Sequence, residues 1–129
     1  MYDKLKKYEG KIIGKFNFSK EKLSFNFTDG DKLDLYAQGD CCSTSWFEQI
    51  SGDEALVEGS ILKNVEFIDL DKVIEVDDNG VLKHYGVKFI TSNGYADVDM
   101  RNSSNGYYGG VISINEDDQY GNTIHPDWD

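Results

Sequence analysis

Short apolar–polar alternations, separated by turn dipeptides, run through most of this chain, and that pattern leaves room for little besides an antiparallel sheet. Phe16 and Phe18 alternate with Lys15 and Asn17, and Leu23, Phe25 and Phe27 alternate with Ser24 and Asn26. Asp29-Gly30 follows, a strong hairpin turn signal, and Leu33 and Leu35 then alternate with Lys32 and Asp34. Side chains on a strand point to opposite faces with period two. The first forty residues therefore predict a three-stranded antiparallel meander. Its buried face is Phe16, Phe18, Phe25, Phe27, Leu33 and Leu35. Residues 2–9 mix charge with Tyr and read either as a short helix or as a lead-in.

The same signals recur further on. Ile61 to Leu70 reads as a strand with Val65 and Phe67 on one face and a register break near Ile68. Val73 to Val76 either extends it or pairs beside it. Asp77-Asp78-Asn79-Gly80 is a turn, and Val81 to Thr91 is a long strand with Tyr85, Val87 and Phe89 alternating. Ser92-Asn93-Gly94 turns the chain into Tyr95 to Met100, and Val111 to Ile114 is the last strand. Between the third and fourth strands the period changes. Trp46, Phe47 and Ile50 fall on one helical face, and Ser45 with Glu48 makes a capping box. This predicts a short helix from Ser45 to Ser51, stopped at Gly52, with a further helical turn at Asp53 to Leu56. Residues 116–129 are polar and acidic and predict an irregular tail docking through Ile124 and Trp128. The expected fold class is α+β, mainly β. It is a single domain, 1–129, built as one curved antiparallel sheet or partial barrel of six to eight strands, with one short helix after the third strand.

Charge narrows the possible partners. The formal net charge is −11 over 129 residues, and it is unevenly spread. Residues 1–32 carry eight lysines and five acids, and residues 33–129 carry five cations and nineteen acids. Direct nucleic-acid binding is disfavoured, because phosphate affinity comes from Lys and Arg. The acidity serves solubility, or it forms a surface that docks on a basic partner. No run approaches the roughly 18 apolar residues of a membrane span, and no apolar leader is visible. The expected compartment is the cytoplasm, with Cys41 and Cys42 as reduced thiols.

Two stretches carry the candidate site. The first contains Asp40, Cys41, Cys42, Ser43 and Trp46. The second contains Arg101, the only arginine, with Asn102, Ser103, Asn105, Tyr107 and Tyr108 among glycines. Arg offers a planar fork for carboxylate or phosphate, the Asn and Ser side chains are adaptable hydrogen-bonders, and the tyrosines supply stacking faces. The plainer account makes Asn105-Gly106 a turn and Arg101 a partner for Asp40 or Glu48. Adjacent cysteines do not match the spaced pairs of a zinc site, and His84 and His125 have no ligand spacing to them. Asp97 and Asp99 share a strand face, which reads as a solvated one. No catalytic residue, metal or cofactor is assigned. The expected feature is that the two stretches pack together.

Gly39-Asp40-Cys41-Cys42-Ser43-Thr44-Ser45-Trp46-Phe47-Glu48 and Arg101-Asn102-Ser103-Ser104-Asn105-Gly106-Tyr107-Tyr108-Gly109-Gly110 resemble the two signature stretches of a family of small uncharacterised bacteriophage and prophage proteins, a domain of unknown function. The resemblance implies a phage setting, in the host bacterial cytoplasm, and no chemistry. Small phage proteins of this kind often oppose host defence. The expected function is a non-enzymatic binding protein that docks an acidic surface on a host defence protein, one with a basic nucleic-acid-binding surface. The alternative is a small-ligand binder that sequesters a nucleotide-like immune signal between the Arg101 loop and the Cys41–Trp46 bend.

Overall fold

The alternating runs at the N-terminus pair as their turn spacing requires. In a computed structural model, which describes residues 3–39, 44–77, 80–104, 110–115 and 123–124, strands β1 (Ile13–Phe18), β2 (Lys22–Phe27) and β3 (Lys32–Gly39) form an antiparallel meander. Phe25, Phe27, Leu33 and Leu35 are buried, and Phe16 and Phe18 are partly buried against them. The lead-in is a four-residue helix, α1 (Asp3–Lys6). It is tied down rather than frayed: Leu5 and Tyr8 are buried, the Tyr8 ring stacks on Phe27 at 5.7 Å, and its hydroxyl accepts a 2.7 Å hydrogen bond from Asn115.

The remaining strands are β4 (Thr44–Ser51), β5 (Leu62–Asp77), β6 (Gly80–Thr91), β7 (Gly94–Ser104), β8 (Gly110–Ile114) and the two-residue β9 (Thr123–Ile124). They do not continue the meander as one sheet. β1-β2-β3-β8-β9 make one antiparallel sheet and β4-β7-β6-β5 a second, and neither order closes into a barrel. This corrects the expectation of a single curved sheet. The reason lies at the ends of β3 and β7. Gly39 pairs with Gly110 at the end of the first sheet, and Thr44 pairs with Ser103 at the start of the second. The chain changes sheet in both directions at this corner, between residues 39 and 44 and between 104 and 110.

The inner faces of the two sheets share one core. Phe25, Leu35 and Ile112 come from the first sheet, and Phe47, Tyr85, Val87, Phe89, Val98 and Met100 from the second. The Phe25 and Phe89 rings meet edge-on across it at 5.0 Å. Burying each such ring contributes about 1.5–3 kcal/mol.

The segment expected to be a helix is strand β4, and the cause of the misreading is visible in its pairing. Phe47 lies opposite Met100 and Gln49 opposite Asp99, so Glu48 is an extra residue, a bulge. The bulge lets Phe47 and Ile50, three apart, both face the core, which mimics helical spacing. The predicted turn at Asp53 to Leu56 is present as a 3-10 helix. It begins after Gly52, whose φ of 77° favours glycine, and a Cβ there would stand 2.6 Å from the Tyr95 carbonyl oxygen. Strand β5 continues through Val73 to Val76, with register shifts between Leu62 and Asn64, between Asp69 and Lys72 and between Val73 and Glu75. The β6–β7 hairpin turns at Ser92 and Asn93, because Thr91 pairs with Gly94. Ile124 of the acidic tail pairs beside Ile112, and Trp128 lies outside the described residues. Among the described residues, no helix is long and apolar enough to cross a membrane.

Candidate functional site

Strand pairing lays out the outer face of the four-stranded sheet as a grid. Trp46 on β4, Arg101 on β7 and His84 on β6 form one row across three strands. Gln49, Asp99 and Gly86 form the next, and Ser51, Asp97 and Lys88 the one after. The alternation that buries Val98 and Met100 inward necessarily turns Asp97, Asp99 and Arg101 outward.

Arg101 is the hub of this grid. Its Nη2 donates to Asp99 Oδ2 at 3.2 Å, and its Nη1 lies 3.9 Å from Glu48 Oε1. The same Glu48 oxygen accepts a 2.9 Å hydrogen bond from the Trp46 indole. That bond, with the nearby charges of Arg101 and Lys20, holds the Glu48 carboxyl below the usual carboxylate range. On the other side, Asp99 Oδ1 faces His84 Nε2, a contact that becomes an ion pair when the imidazole is protonated. Asp99 is only 14% exposed, and its two oxygens are turned to His84 and Arg101. On the opposite face of β7, Asn102 is fully buried, and its Nδ2 donates to Ser45 Oγ at 2.9 Å. Among the described residues, Arg101 Nε and Asn102 Oδ1 are buried without a hydrogen-bond partner, and Asp99 Oδ1 is buried with the close contact to His84 Nε2 but no aligned hydrogen bond.

The expected meeting of the two stretches occurs where they are described: Thr44 to Trp46 pair with Arg101 to Ser103. Of the candidate residues, Trp46 and Arg101 are brought together on the outer face with Ser103 exposed beside them, and Asn102 is turned to the buried face. Asp40, Cys41, Cys42, Ser43, Asn105, Tyr107 and Tyr108 lie outside the described residues. Of the two partners weighed for Arg101, Glu48 is present. Among the described residues, no three His, Cys, Asp or Glu side chains are placed to hold a metal ion.

The sequence reading does not assign His84, Asp99 or Glu48 to the site. A signal for His84 existed in the hairpin. From Thr91 and Gly94, seven steps back reach His84 and seven forward reach Arg101. Glu48 was masked by its role in an apparent capping box.

The model for a domain of unknown function, DUF7448, matches residues 6–114. The chain belongs to the DUF7448 family. The matched span includes both sheets up to β8 and the whole Trp46–Arg101–His84 row. The chain is also similar to an uncharacterized protein of Acanthamoeba polyphaga mimivirus. The two are 36% identical over 121 residues, covering 88% of this chain and 90% of the relative. No solved structure matches.

Proposed function

We propose that this DUF7448 protein is a non-enzymatic viral binding protein that counters a host defence system. It docks an acidic surface on a defence protein whose own surface is basic and built to hold nucleic acid. The observation that carries the reading is electrostatic. Residues 33–129 hold nineteen acids against five cations, and the one arginine among those cations is turned onto Asp99 and Glu48. On the outer rows around it, Glu48, Asp97 and Asp99 outnumber Arg101 and Lys88 by one charge. Such a surface speeds encounter with a basic partner and rejects acidic ones. A viral relative supports the viral setting. A bacteriophage origin and action in the host cytoplasm belong to the proposal.

The second reading, capture of a nucleotide-like signal by the Arg101 loop, is less well supported. A phosphate would need the guanidinium fork free, whereas its terminal nitrogens already meet two carboxylates. The test is expression of the chain in bacteria carrying individual defence systems, followed by infection. Restored plaque formation together with salt-sensitive binding to a purified defence protein supports docking. Restored plaques with a thermal shift on adding cyclic or ADP-ribose-type nucleotides, and no protein binding, supports capture instead.

A further inference from the structure

The outer grid of the four-stranded sheet has one vacant place. Along β6 the outward positions are His84, Gly86 and Lys88, and Gly86 stands opposite Asp99. A groove of about 270 Å³ opens there, lined among others by His84, Asp97, Asp99, Gln49 and Ser51. Its two carboxylates differ. Asp99 is engaged by His84 and Arg101. Asp97 is exposed, and among the described residues it has no ion-pair partner. Lys88 sits directly across the ladder from it, but the Lys88 ammonium is drawn over the Tyr95 ring, 4.2 Å from its centroid. The groove thus has one uncompensated carboxylate, a second fixed behind it, and the amide of Gln49 and hydroxyl of Ser51 as further acceptors. An anion entering it would meet like charge. A guanidinium or ammonium brings three to five donors and the opposite charge.

We propose that this groove is a receptor for one Lys or Arg side chain of a basic protein partner, with Asp97 making the ion pair and Gln49 and Ser51 accepting further hydrogen bonds. It rests on the docking reading above and names the point of the acidic surface at which the partner is held.

The experiment is a nitrogen-15 NMR titration of the full chain with Nα-acetyl-arginine amide and with an arginine-rich peptide. Wild type is compared with Asp97→Asn and with Asp53→Asn, which removes an equal charge from the exposed 3-10 helix. Thermal unfolding establishes that both variants are folded. The groove predicts saturable shifts concentrated at Gln49, Gly86, Asp97 and Val98. It also predicts binding about tenfold weaker in Asp97→Asn, as loss of one charge-assisted hydrogen bond implies, and unchanged in Asp53→Asn. Peptide binding that spreads over the surface, or that both variants weaken alike, overturns the groove and leaves docking standing. Failure of the peptide to bind wild type overturns docking and groove together.

Discussion

Arg101 holds together the outer face of the second sheet, linking Asp99 on its own strand to Glu48 on the next. Removing it leaves a largely buried Asp99 carboxylate facing only His84, which also strips Glu48 of its nearest cation. Arg101→Ala is expected to cost about 1–2 kcal/mol in urea unfolding, below the cost of a fully buried pair because Arg101 is 30% exposed. Arg101→Lys recovers part of this loss, since an ammonium keeps the charge and loses the fork. If Arg101→Ala unfolds at the wild-type midpoint, the contacts it makes contribute nothing to the sheet. That Arg101 stands apart could be read from the chain, as the one arginine in a stretch of hydrogen-bonding residues. Its partners could not, because Asp99 looks like any outward residue on a half-solvated strand until the hairpin register sets His84 beside it.

Among the elements, β4 shows where pattern reading fails. Period two is broken by a single bulge at Glu48, and Phe47 and Ile50 then sit at helical spacing while both face the core. The strand account separates adjacent residues sharply. Phe47 is fully buried and Trp46 only partly. Phe47→Ala is expected to cost about 3–5 kcal/mol, and Trp46→Ala about 1–2 kcal/mol for its smaller buried area. Equal losses in urea unfolding would show that the two residues are not on opposite faces. By contrast the pairing of β1 to β3 was legible, because their turns are short and the parity of Phe25, Leu33 and Leu35 holds; the bulge between Ile13 and Lys15 and the burial of Ser24 and Asp34 on the polar parity were not. The β2–β3 hairpin carries its own clamp: Lys11 pairs with Asp29, and its Nζ also lies 3.5 Å from Asp31. The hydrogen bond from Lys11 holds the Asp29 carboxyl below its ordinary value, and the same bond raises Lys11. A lowered carboxyl stabilises the fold above its unfolded-state pKa, and that contribution is lost as pH falls through the folded value. A raised lysine stabilises below its unfolded-state pKa and ceases to do so as pH rises through the folded value. Urea midpoints of wild type and Lys11→Met should therefore differ slightly at neutral pH and converge in acid and in strong alkali. A difference that persists in acid would show that the stabilisation does not come from the Lys11–Asp29 ion pair.

For the whole molecule, composition and turn signals indicated a mainly β domain, yet the division into two sheets was not legible. It depends on a corner whose paired ends, Gly39 with Gly110 and Thr44 with Ser103, lie far apart in the chain, and no local period records them. The stretches beginning at Gly39 and at Arg101 contribute these paired ends. What the corner positions is the row Trp46–Arg101–His84 and, beside it, the groove at Gly86 with its exposed Asp97. The central claim is that this face is the acidic surface by which the protein engages a basic host partner. Its most direct test is plaque formation in the defence-carrying bacteria with wild type, Asp97→Lys and Asp53→Lys, each present at equal folded levels. The account predicts that wild type and Asp53→Lys restore plaques while Asp97→Lys does not. Restoration by Asp97→Lys at the wild-type level would contradict it.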